Sequence, residues 1–306
     1  INLTPKREYN KTMSIISWPS KTDTTSILKL ALPILGGIIS LNILWLVDTA
    51  MIGVLGNVSL AAVGFGGFLS WFSFSPLFGF VSAIQAITAR RLGENNKQEL
   101  TSALNVGIIL IPSLAVLISI MAIFFAPEIF SWLTNDPEVA KEGSIYYQWR
   151  MAGMLGFGIN ISLRGYWSGI KKPHIYFNFL FIVHAMNIFL NWVLIYGHLG
   201  APALGSMGAG IATSISFYVG TLFYLPYGII TIRAKGFLRK KIRLSHIKNV
   251  LKTGIPLSLE EWLYAGSFTV FLAIIGKIGT EEVAMANVVR HITLFLFLPG
   301  AAFGLA

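Results

Sequence analysis

Long apolar stretches separated by short polar ones run the length of the chain. Eight such stretches are predicted, most of them long enough to cross the roughly 30 Å hydrocarbon core of a bilayer. They cover residues 27–55, 58–88, 102–126, 143–169, 174–198, 203–232, 247–277 and 281–306. Because lipid offers no partner to a free backbone amide or carbonyl, we expect each stretch to be an α-helix. The pattern therefore predicts an all-α membrane protein.

Composition agrees with that pattern. Of the 306 residues, 55% are hydrophobic and 12% are charged, about half the charged share of an ordinary soluble domain. The absence of cysteine excludes disulfides and thiolate metal sites. The net charge is +10, but the basic residues lie between the apolar stretches. Membrane topology explains that placement better than a nucleic-acid partner, which we do not expect.

Lysine and arginine also predict the orientation. They concentrate in the N-terminal tail and in the loops after the second, fourth and sixth stretches, whereas the other side shows only Lys141 and Lys277. By the positive-inside rule, the tail and the basic loops face the cytoplasm of a plasma (inner) membrane. The most basic loop is expected to touch anionic lipid head groups.

An internal repeat appears when the chain is displaced by 223 residues. The coinciding prolines and glycines are Pro33 with Pro256, Gly53 with Gly276, Gly56 with Gly279 and Pro76 with Pro299. Six stretches separate the copies, so the repeat is parallel in the membrane, an arrangement typical of transporters with a substrate site between their halves. The predicted domains are a cytoplasmic tail (1–26), a six-helix lobe (27–233), a basic cytoplasmic linker (234–246) and the first two helices of a truncated second lobe (247–306).

Several short motifs, in order, resemble the multidrug and toxic compound extrusion (MATE) family, and most of all its DinF-like branch. They are the runs at 30–33, 46–53 and 60–64, the basic end of the second stretch at 89–93, the R-G-x-x-x-G run at 164–169, the asparagine pair at 187 and 191, and the runs at 202–205, 208–213 and 252–256. The resemblance implies two six-helix lobes, alternating access, and export of amphipathic, often cationic organic compounds in exchange for H⁺ or Na⁺. It implies no cofactor and no enzymatic activity. We further expect a monomer that contacts membrane lipids.

Asp48 is the first candidate for chemistry. A carboxylate within an apolar helix costs several kcal/mol in lipid, so such residues are rare and usually functional. Loss of water favours the protonated form of a carboxyl group. Asp48 matches the acidic residue that the family places in its first helix, and the resemblance assigns that residue to proton or Na⁺ coupling. The alternative is a structural hydrogen bond to a neighbouring helix.

A second candidate group lies in the fifth stretch. His184, Asn187 and Asn191 share one helix face. Asn187 and Asn191 match the family's N-x-x-x-D pair, except that asparagine replaces the aspartate and cannot titrate. Asp48 is therefore expected to carry coupling alone, with Asn187, Asn191 and Thr213 as polar partners. The alternative is that these amides only join helices, at around 0.6 kcal/mol each; for His184 we favour packing over proton transfer.

The third group lies in the seventh stretch. Part of the family carries a functional glutamate at the position of Tyr264. Glu260 lies one helical turn earlier on the same face, and Glu261 three residues earlier. Either carboxylate is a candidate ligand for an ion or a cationic substrate; the alternative is a wetted rim of the cavity. Arg290, in the eighth stretch, either pairs with an acid or marks the cavity of the second lobe.

Other polar and aromatic residues receive simpler interpretations. Arg150 is expected to extend its side chain towards the membrane surface. The aromatic residues of the second stretch could line a drug cavity, but most of them are expected to face lipid or to pack. They are Phe65, Phe68, Trp71 and Phe74.

Two other functions remain open at this stage. A flippase of lipid-linked or polysaccharide precursors, from the same superfamily, would hold phosphate with several basic cavity residues, and the first lobe offers little beyond Arg150. An intramembrane enzyme would use His184 and Asp48 as acid and base. No paired carboxylates, metal-ligand spacing or nucleophile elbow supports such an enzyme.

Overall fold

The computed structural model describes residues 28, 32, 35, 36, 39, 44, 47–278 and 293. Over these residues the protein is built of helices and turns, without a strand. The predicted tail, most of the first stretch and the eighth stretch with Arg290 lie outside the described residues. The second copy of the repeat is therefore described only in part.

The helices are numbered in chain order, α1 being described over residues 47–53. The others are α2 (Asn57–Gly93), α3 (Ser102–Leu133), α4 (Pro137–Met151), α5 (Met154–Gly169), α6 (Pro173–Tyr196), α7 (Gly205–Ile232) and α8 (Leu244–Ile278). Short 3-10 turns occupy His198–Gly200 and Arg233–Lys235. Four described helices are long and apolar enough to cross a membrane, namely α2, α3, α6 and α7 with its 3-10 extension.

Most predicted stretches coincide with one helix, but α3 runs past the predicted end at residue 126. Pro127 lies inside the helix, which continues to Leu133. Proline removes one backbone hydrogen bond, but in an apolar setting no water takes over the remaining ones, so the helix continues. Apolar residues also continue beyond residue 126, interrupted by Glu128 and Ser131, as far as Leu133.

The prediction of one helix over residues 143–169 is wrong. Two helices, α4 and α5, meet at a turn formed by Ala152 and Gly153. A Cβ atom on Gly153 would lie 2.7 Å from Cα of Ser214, so the turn allows α7 to approach closely.

Hydroxyl groups from neighbouring helices donate hydrogen bonds to the carbonyls that this turn exposes. The Ser214 Oγ donates to the carbonyls of Trp149 and Arg150, the Ser119 Oγ to that of Met151 (2.8 Å), and the Tyr218 Oη to that of Ala152 (2.6 Å). The last carbonyls of a helix otherwise lack partners, and in a membrane such groups are costly. The break in the helix is therefore stabilised by partners far away in sequence.

Helix α2 lies at the centre of the bundle. It packs along α8 and against α4 and α5, while α6 packs against α7 and α3 against α4 and α5. The approach of α2 to α8 is close, since a Cβ atom on Gly79 would lie 2.0 Å from the Ser258 nitrogen. Large apolar side chains on the outer surface are exposed, as lipid contact requires; they include Phe124, Trp132, Phe181, Leu222 and Ile230.

The basic linker is attached to the start of α3. The Asn105 side-chain amide donates to the Gly236 carbonyl (3.0 Å) and accepts from the Leu238 amide (3.0 Å). Between these two residues, Phe237 is fully buried. Lys240 donates to the Gln98 carbonyl, so the loops before α3 and before α8 lie at the same end of the bundle. Contact of the exposed linker lysines with lipid head groups stays a prediction.

Candidate ion and substrate site

Four residues predicted from the sequence form one connected polar cluster. The Asn191 amide donates to the Asp48 Oδ1 (2.7 Å) and to the Asn187 Oδ1 (3.2 Å). The Asn187 amide donates to the Thr213 Oγ1 (3.2 Å), which donates to the Ala209 carbonyl (3.0 Å). The polar cluster, Asp48, Asn187, Asn191 and Thr213, therefore joins α1, α6 and α7. Asn187 and Asn191 both reach it because they lie four residues apart on one helix.

The polar cluster is shielded from solvent. Asn187 is 2% exposed and Asn191 is 1% exposed. The Asn191 Oδ1 is buried without a hydrogen-bond partner among the described residues. A buried acceptor of this kind requires an explanation, since most are satisfied. Carboxylate, amide and hydroxyl oxygens are also the ligands that hard cations prefer.

Arg150 faces the same region, contrary to the prediction that its side chain reaches the membrane surface. It lies in the last turn of α4, just before the break, and lines the cavity described below. Its Nη1 donates to the Tyr146 Oη (2.8 Å), and its guanidinium carbon lies 5.8 Å from the Tyr146 ring centroid. It is within electrostatic range of Asp48. The hydrogen bond to Tyr146, one turn earlier on α4, holds the side chain on this face of the helix.

A cavity of ≈ 380 Å³ adjoins the polar cluster, a volume within the range of drug-sized ligand sites. Its aromatic lining consists of Trp71, Phe74, Phe78, Phe157, Tyr176, Phe179, Phe217, Tyr224, Tyr264 and Phe268. Its polar and charged lining consists of Asp48, Arg150, Asn160, His184, Asn187, Thr213 and Ser216. One carboxylate and one guanidinium thus face a mostly aromatic space.

The aromatic residues of α2 divide between two roles. Trp71 and Phe74 take the cavity-lining alternative, and Phe74 also packs in the core against Phe157. Phe68 stacks on Phe268, with ring centroids 5.9 Å apart, and Phe65 is partly exposed. Since α2 is apolar on every face, its sequence pattern does not indicate which face meets the cavity.

Candidates on α8 are separated by the structure. Tyr264 lines the cavity and meets the Trp71 ring edge to face at 5.9 Å. Glu260 is exposed and Glu261 half-buried, and neither lines the cavity. His184 is buried and lines the cavity beside Asn187.

Asn160 was missed by the sequence analysis. Its amide donates to the Phe217 carbonyl (3.0 Å) and its Oδ1 accepts from the Thr221 Oγ1 (3.1 Å), which fixes α5 to α7 beside the cavity. The signal was present, because a polar side chain inside an apolar stretch is as noteworthy here as it is at Asp48.

Comparison with known proteins settles the family. The family model described as MatE matches residues 33–193, more than half of the chain. The chain belongs to the MatE family. The MATE resemblance drawn from the motifs is thereby confirmed at family level. The match gives no support to the intramembrane-enzyme alternative.

Curated relatives carry multidrug-resistance names. The chain is 24% identical over 279 residues to the "Probable multidrug resistance protein NorM" of Oceanobacillus iheyensis, covering 90% of this chain and 62% of that protein. It is 27% identical over 293 residues to the "Multidrug resistance protein MdtK" of Edwardsiella ictaluri, covering 93% and 63%. The chain therefore spans about 62% of the length of such relatives.

Solved structures share the fold. One is the outward-facing conformation of a multidrug resistance MATE family transporter of the MOP superfamily, with TM-score 0.80, 22% identity, and coverage of 92% of this chain and 62% of that one. Another is a MOP superfamily transporter from Pyrococcus furiosus, with TM-score 0.79, 23% identity, and coverage of 92% and 62%. The prediction of an all-helical MATE-type membrane fold is confirmed.

Proposed function

We propose that this protein is a secondary transporter that exports organic compounds in exchange for H⁺ or Na⁺ bound at the polar cluster. The observation that carries the proposal is the position of Asp48, which belongs to the buried cluster and also lines the aromatic cavity. Ion and substrate would therefore occupy adjoining space. The multidrug-resistance names of the relatives support the same activity.

Exchange follows from a single shared charge. A proton or Na⁺ on Asp48 removes the negative charge that would attract a cationic substrate, so the two occupants oppose each other. The same event changes the hydrogen bond from Asn191, which joins α1 to α6. A ligand shifts a conformational equilibrium only by its difference in affinity for the two states. A change in this hydrogen bond would give the ion a different affinity for each of the two states.

Both coupling ions fit the donor set. Na⁺ would find oxygen ligands on all four residues of the polar cluster. A proton would find one titratable site, because Asn191 cannot titrate. Glu260, Glu261 and Tyr264 remain candidates for a further ligand set on α8, of which Tyr264 faces the cavity.

The flippase alternative receives less support. Among the described residues, only one lysine or arginine side chain, that of Arg150, lines the cavity. A phosphate carrier needs several such residues. The solved Pyrococcus furiosus relative is described as having a binding pocket of reversed polarity that suggests a different function. Fold alone therefore does not fix the substrate, and the aromatic lining of this cavity supports the proposal of amphipathic organic compounds.

The finer predictions belong to the same proposal. We propose a monomer in the plasma (inner) membrane with a cytoplasmic N-terminus, an orientation supported by the shared end of the two basic loops. The lobe of residues 27–233 and the second lobe from residue 247 would move against each other. The DinF-like branch stays a prediction that rests on the motifs, since the relatives compared above carry the names NorM and MdtK.

The first prediction tests the coupling residue. Asp48→Asn removes the titratable group and its negative charge while keeping its size and one oxygen, so dye efflux driven by an imposed pH or Na⁺ gradient in inverted membrane vesicles is expected to be lost. Glu128→Gln removes a carboxylate from an exposed position of α3 and is the matched control. Full gradient-driven efflux by Asp48→Asn would contradict the assignment and direct attention to Glu260 and Glu261.

A further inference from the structure

The last turn of α1 contains a carbonyl whose usual helical partner is engaged elsewhere. In a regular α-helix the Leu55 amide would donate to the Met51 carbonyl, but here it donates to the Ile52 carbonyl (2.9 Å). The Tyr196 Oη donates to the Met51 carbonyl instead (2.7 Å). The final carbonyls of a helix lack partners within it, and an unpaired carbonyl is costly in a membrane. Tyr196 on α6 therefore completes the end of α1.

This hydrogen bond lies close to the polar cluster and joins the same two helices. Met51 follows Asp48 by three residues on α1, and Tyr196 follows Asn191 by five residues on α6. Three residues of α-helix correspond to a rise of about 4.5 Å. The Asn191 amide donates to the Asp48 carboxylate, and the Tyr196 hydroxyl donates to the backbone one turn further along α1. Two neighbouring hydrogen bonds thus connect α1 to α6.

Apolar packing holds the same turn of α1. Ile52 is fully buried. It belongs to a small core, separate from the main one, that is completed by Tyr146, Ile195 and Ala209. Met51 and Tyr196 pack against this small core. The hydrogen bond from Tyr196 is therefore formed beside buried apolar side chains, where water competes with it least.

Tyr196 is itself held in position. It is the last residue of α6, and Gly197 ends the helix with a left-handed φ of 78°. A Cβ atom on Gly197 would lie 2.9 Å from the Ala203 nitrogen, so the chain folds back closely at this point. The Tyr196 ring meets the His198 ring edge to face at 5.9 Å, and His198 stacks on Trp192 at 4.1 Å. A donor fixed in this way loses little conformational freedom when it bonds α1.

We propose that Tyr196 is a positioning residue for ion coupling, which holds the end of α1 against α6 and so keeps Asp48 within hydrogen-bonding distance of Asn191. This role rests on the proposed transport function. It adds a residue that belongs neither to the polar cluster nor to the lining of the cavity. Tyr196 acts through the relative position of two helices, because one hydrogen bond between them reduces the conformational entropy lost in forming the next.

Tyr196→Phe tests the proposal, since it removes the hydroxyl and keeps the ring. Initial rates of ethidium transport by the full chain in inverted vesicles are measured over a series of luminal Na⁺ concentrations and, without Na⁺, over a series of luminal pH values. The half-saturating concentration of the driving ion is expected to change by about three-fold or more, the effect of one lost hydrogen bond. The Kd of ethidium for the purified protein is expected to stay the same.

Two comparisons make the test specific. Tyr227→Phe removes an exposed tyrosine hydroxyl from α7 and is expected to leave the half-saturating concentration unchanged. Asn191→Leu already lacks the hydrogen bond to Asp48, so adding Tyr196→Phe is expected to cause no further change in the half-saturating concentration of its residual transport. An unchanged value in Tyr196→Phe, or an equal change in both backgrounds, would overturn the proposal.

A second measurement separates this outcome from that of the proposed function. Hydrogen–deuterium exchange of residues 47–53 in the purified protein reports how firmly α1 is held without requiring transport. Exchange about three-fold faster in Tyr196→Phe, together with no gradient-driven transport by the unaltered protein, would retain the role of Tyr196 in holding α1 and remove the transport proposal. Unchanged exchange in Tyr196→Phe would overturn the inference whether or not the protein transports ethidium.

Discussion

Asn191 makes the central contact of the polar cluster at the scale of single residues. It is the donor to Asp48 at 2.7 Å and also bonds Asn187, so it connects the titratable group to the rest of α6. The family's pattern places an aspartate at this position, and this chain has an amide. The site thus has one titratable group where that pattern provides two, and the amide fixes its position.

The second prediction concerns this residue. Asn191→Leu keeps the approximate size but removes the donor to Asp48 and one candidate cation ligand. Gradient-driven dye efflux is expected to fall about ten-fold or more, because a hydrogen bond to a charged group contributes about 1.5–3 kcal/mol. Initial efflux rates in inverted vesicles measure the loss.

A matched substitution on the same helix controls for general effects. Asn178 is exposed on α6, so Asn178→Leu is expected to retain efflux. Equal losses in both variants would show that a leucine on α6 disturbs the bundle irrespective of the polar cluster. Normal efflux in Asn191→Leu would mean that the hydrogen bond to Asp48 does not contribute to coupling.

At the scale of elements, the break between α4 and α5 shapes the site most directly. It lies next to Arg150, which lines the cavity, and it leaves four carbonyls to which hydroxyls of α3 and α7 donate hydrogen bonds. In lipid these partners cannot be replaced by water. The break therefore depends on α7 being docked, and α7 in turn carries Thr213 of the polar cluster.

The third prediction concerns the contribution of Ser214 to the stability of the break between α4 and α5. Ser214→Ala leaves the carbonyls of Trp149 and Arg150 without that donor, and the free energy of unfolding is expected to fall by about 1–2 kcal/mol. Unfolding of the purified protein by a denaturing detergent, followed by circular dichroism, measures the change. Ser131→Ala removes an exposed hydroxyl that bonds within its own helix and is expected to have little effect. Equal stability of the two variants would argue against a supporting role for Ser214.

At the scale of the whole molecule, the linker is attached to the first lobe by hydrogen bonds and packing. Asn105 holds both sides of the buried Phe237 through two hydrogen bonds, and the His246 Nε2 lies 2.9 Å from the Glu99 carboxylate near the start of α8. The beginning of α8 is thereby tied to α3. If the lobes move against each other, this end of α8 is expected to move with the first lobe.

The fourth prediction tests that attachment. Asn105→Ala removes both hydrogen bonds, and the basic loop at residues 239–243 is expected to be cut by trypsin about ten-fold faster, because cleavage follows the population of the open form. The rate is measured by gel electrophoresis under native conditions. Asn135→Ala, at an exposed loop position between α3 and α4, is the control. Unchanged cleavage in Asn105→Ala would show that the linker is held by other contacts.

The sequence by itself determined the features that depend on local pattern. Apolar stretches predicted the helices because backbone groups in lipid must bond within their own helix. The four-residue spacing of Asn187 and Asn191 predicted their shared face. The rarity of charge in lipid identified Asp48, and the motifs indicated the family now confirmed. Each of these arguments uses neighbours along the chain alone.

Only the tertiary structure decided the features that depend on distant partners. The turn at Gly153 is stabilised by Ser214, which lies on another helix, so no pattern within residues 143–169 revealed it. The place of Arg150 in the cavity likewise depends on helices that are distant in sequence, because α5 to α8 supply most of the other lining residues. Trp71 and Phe74 line that cavity because α5, α6, α7 and α8 supply the residues that complete its lining. The sequence of a helix that is apolar on every face does not indicate which face packs against which neighbour. The packing of the whole bundle determines those contacts.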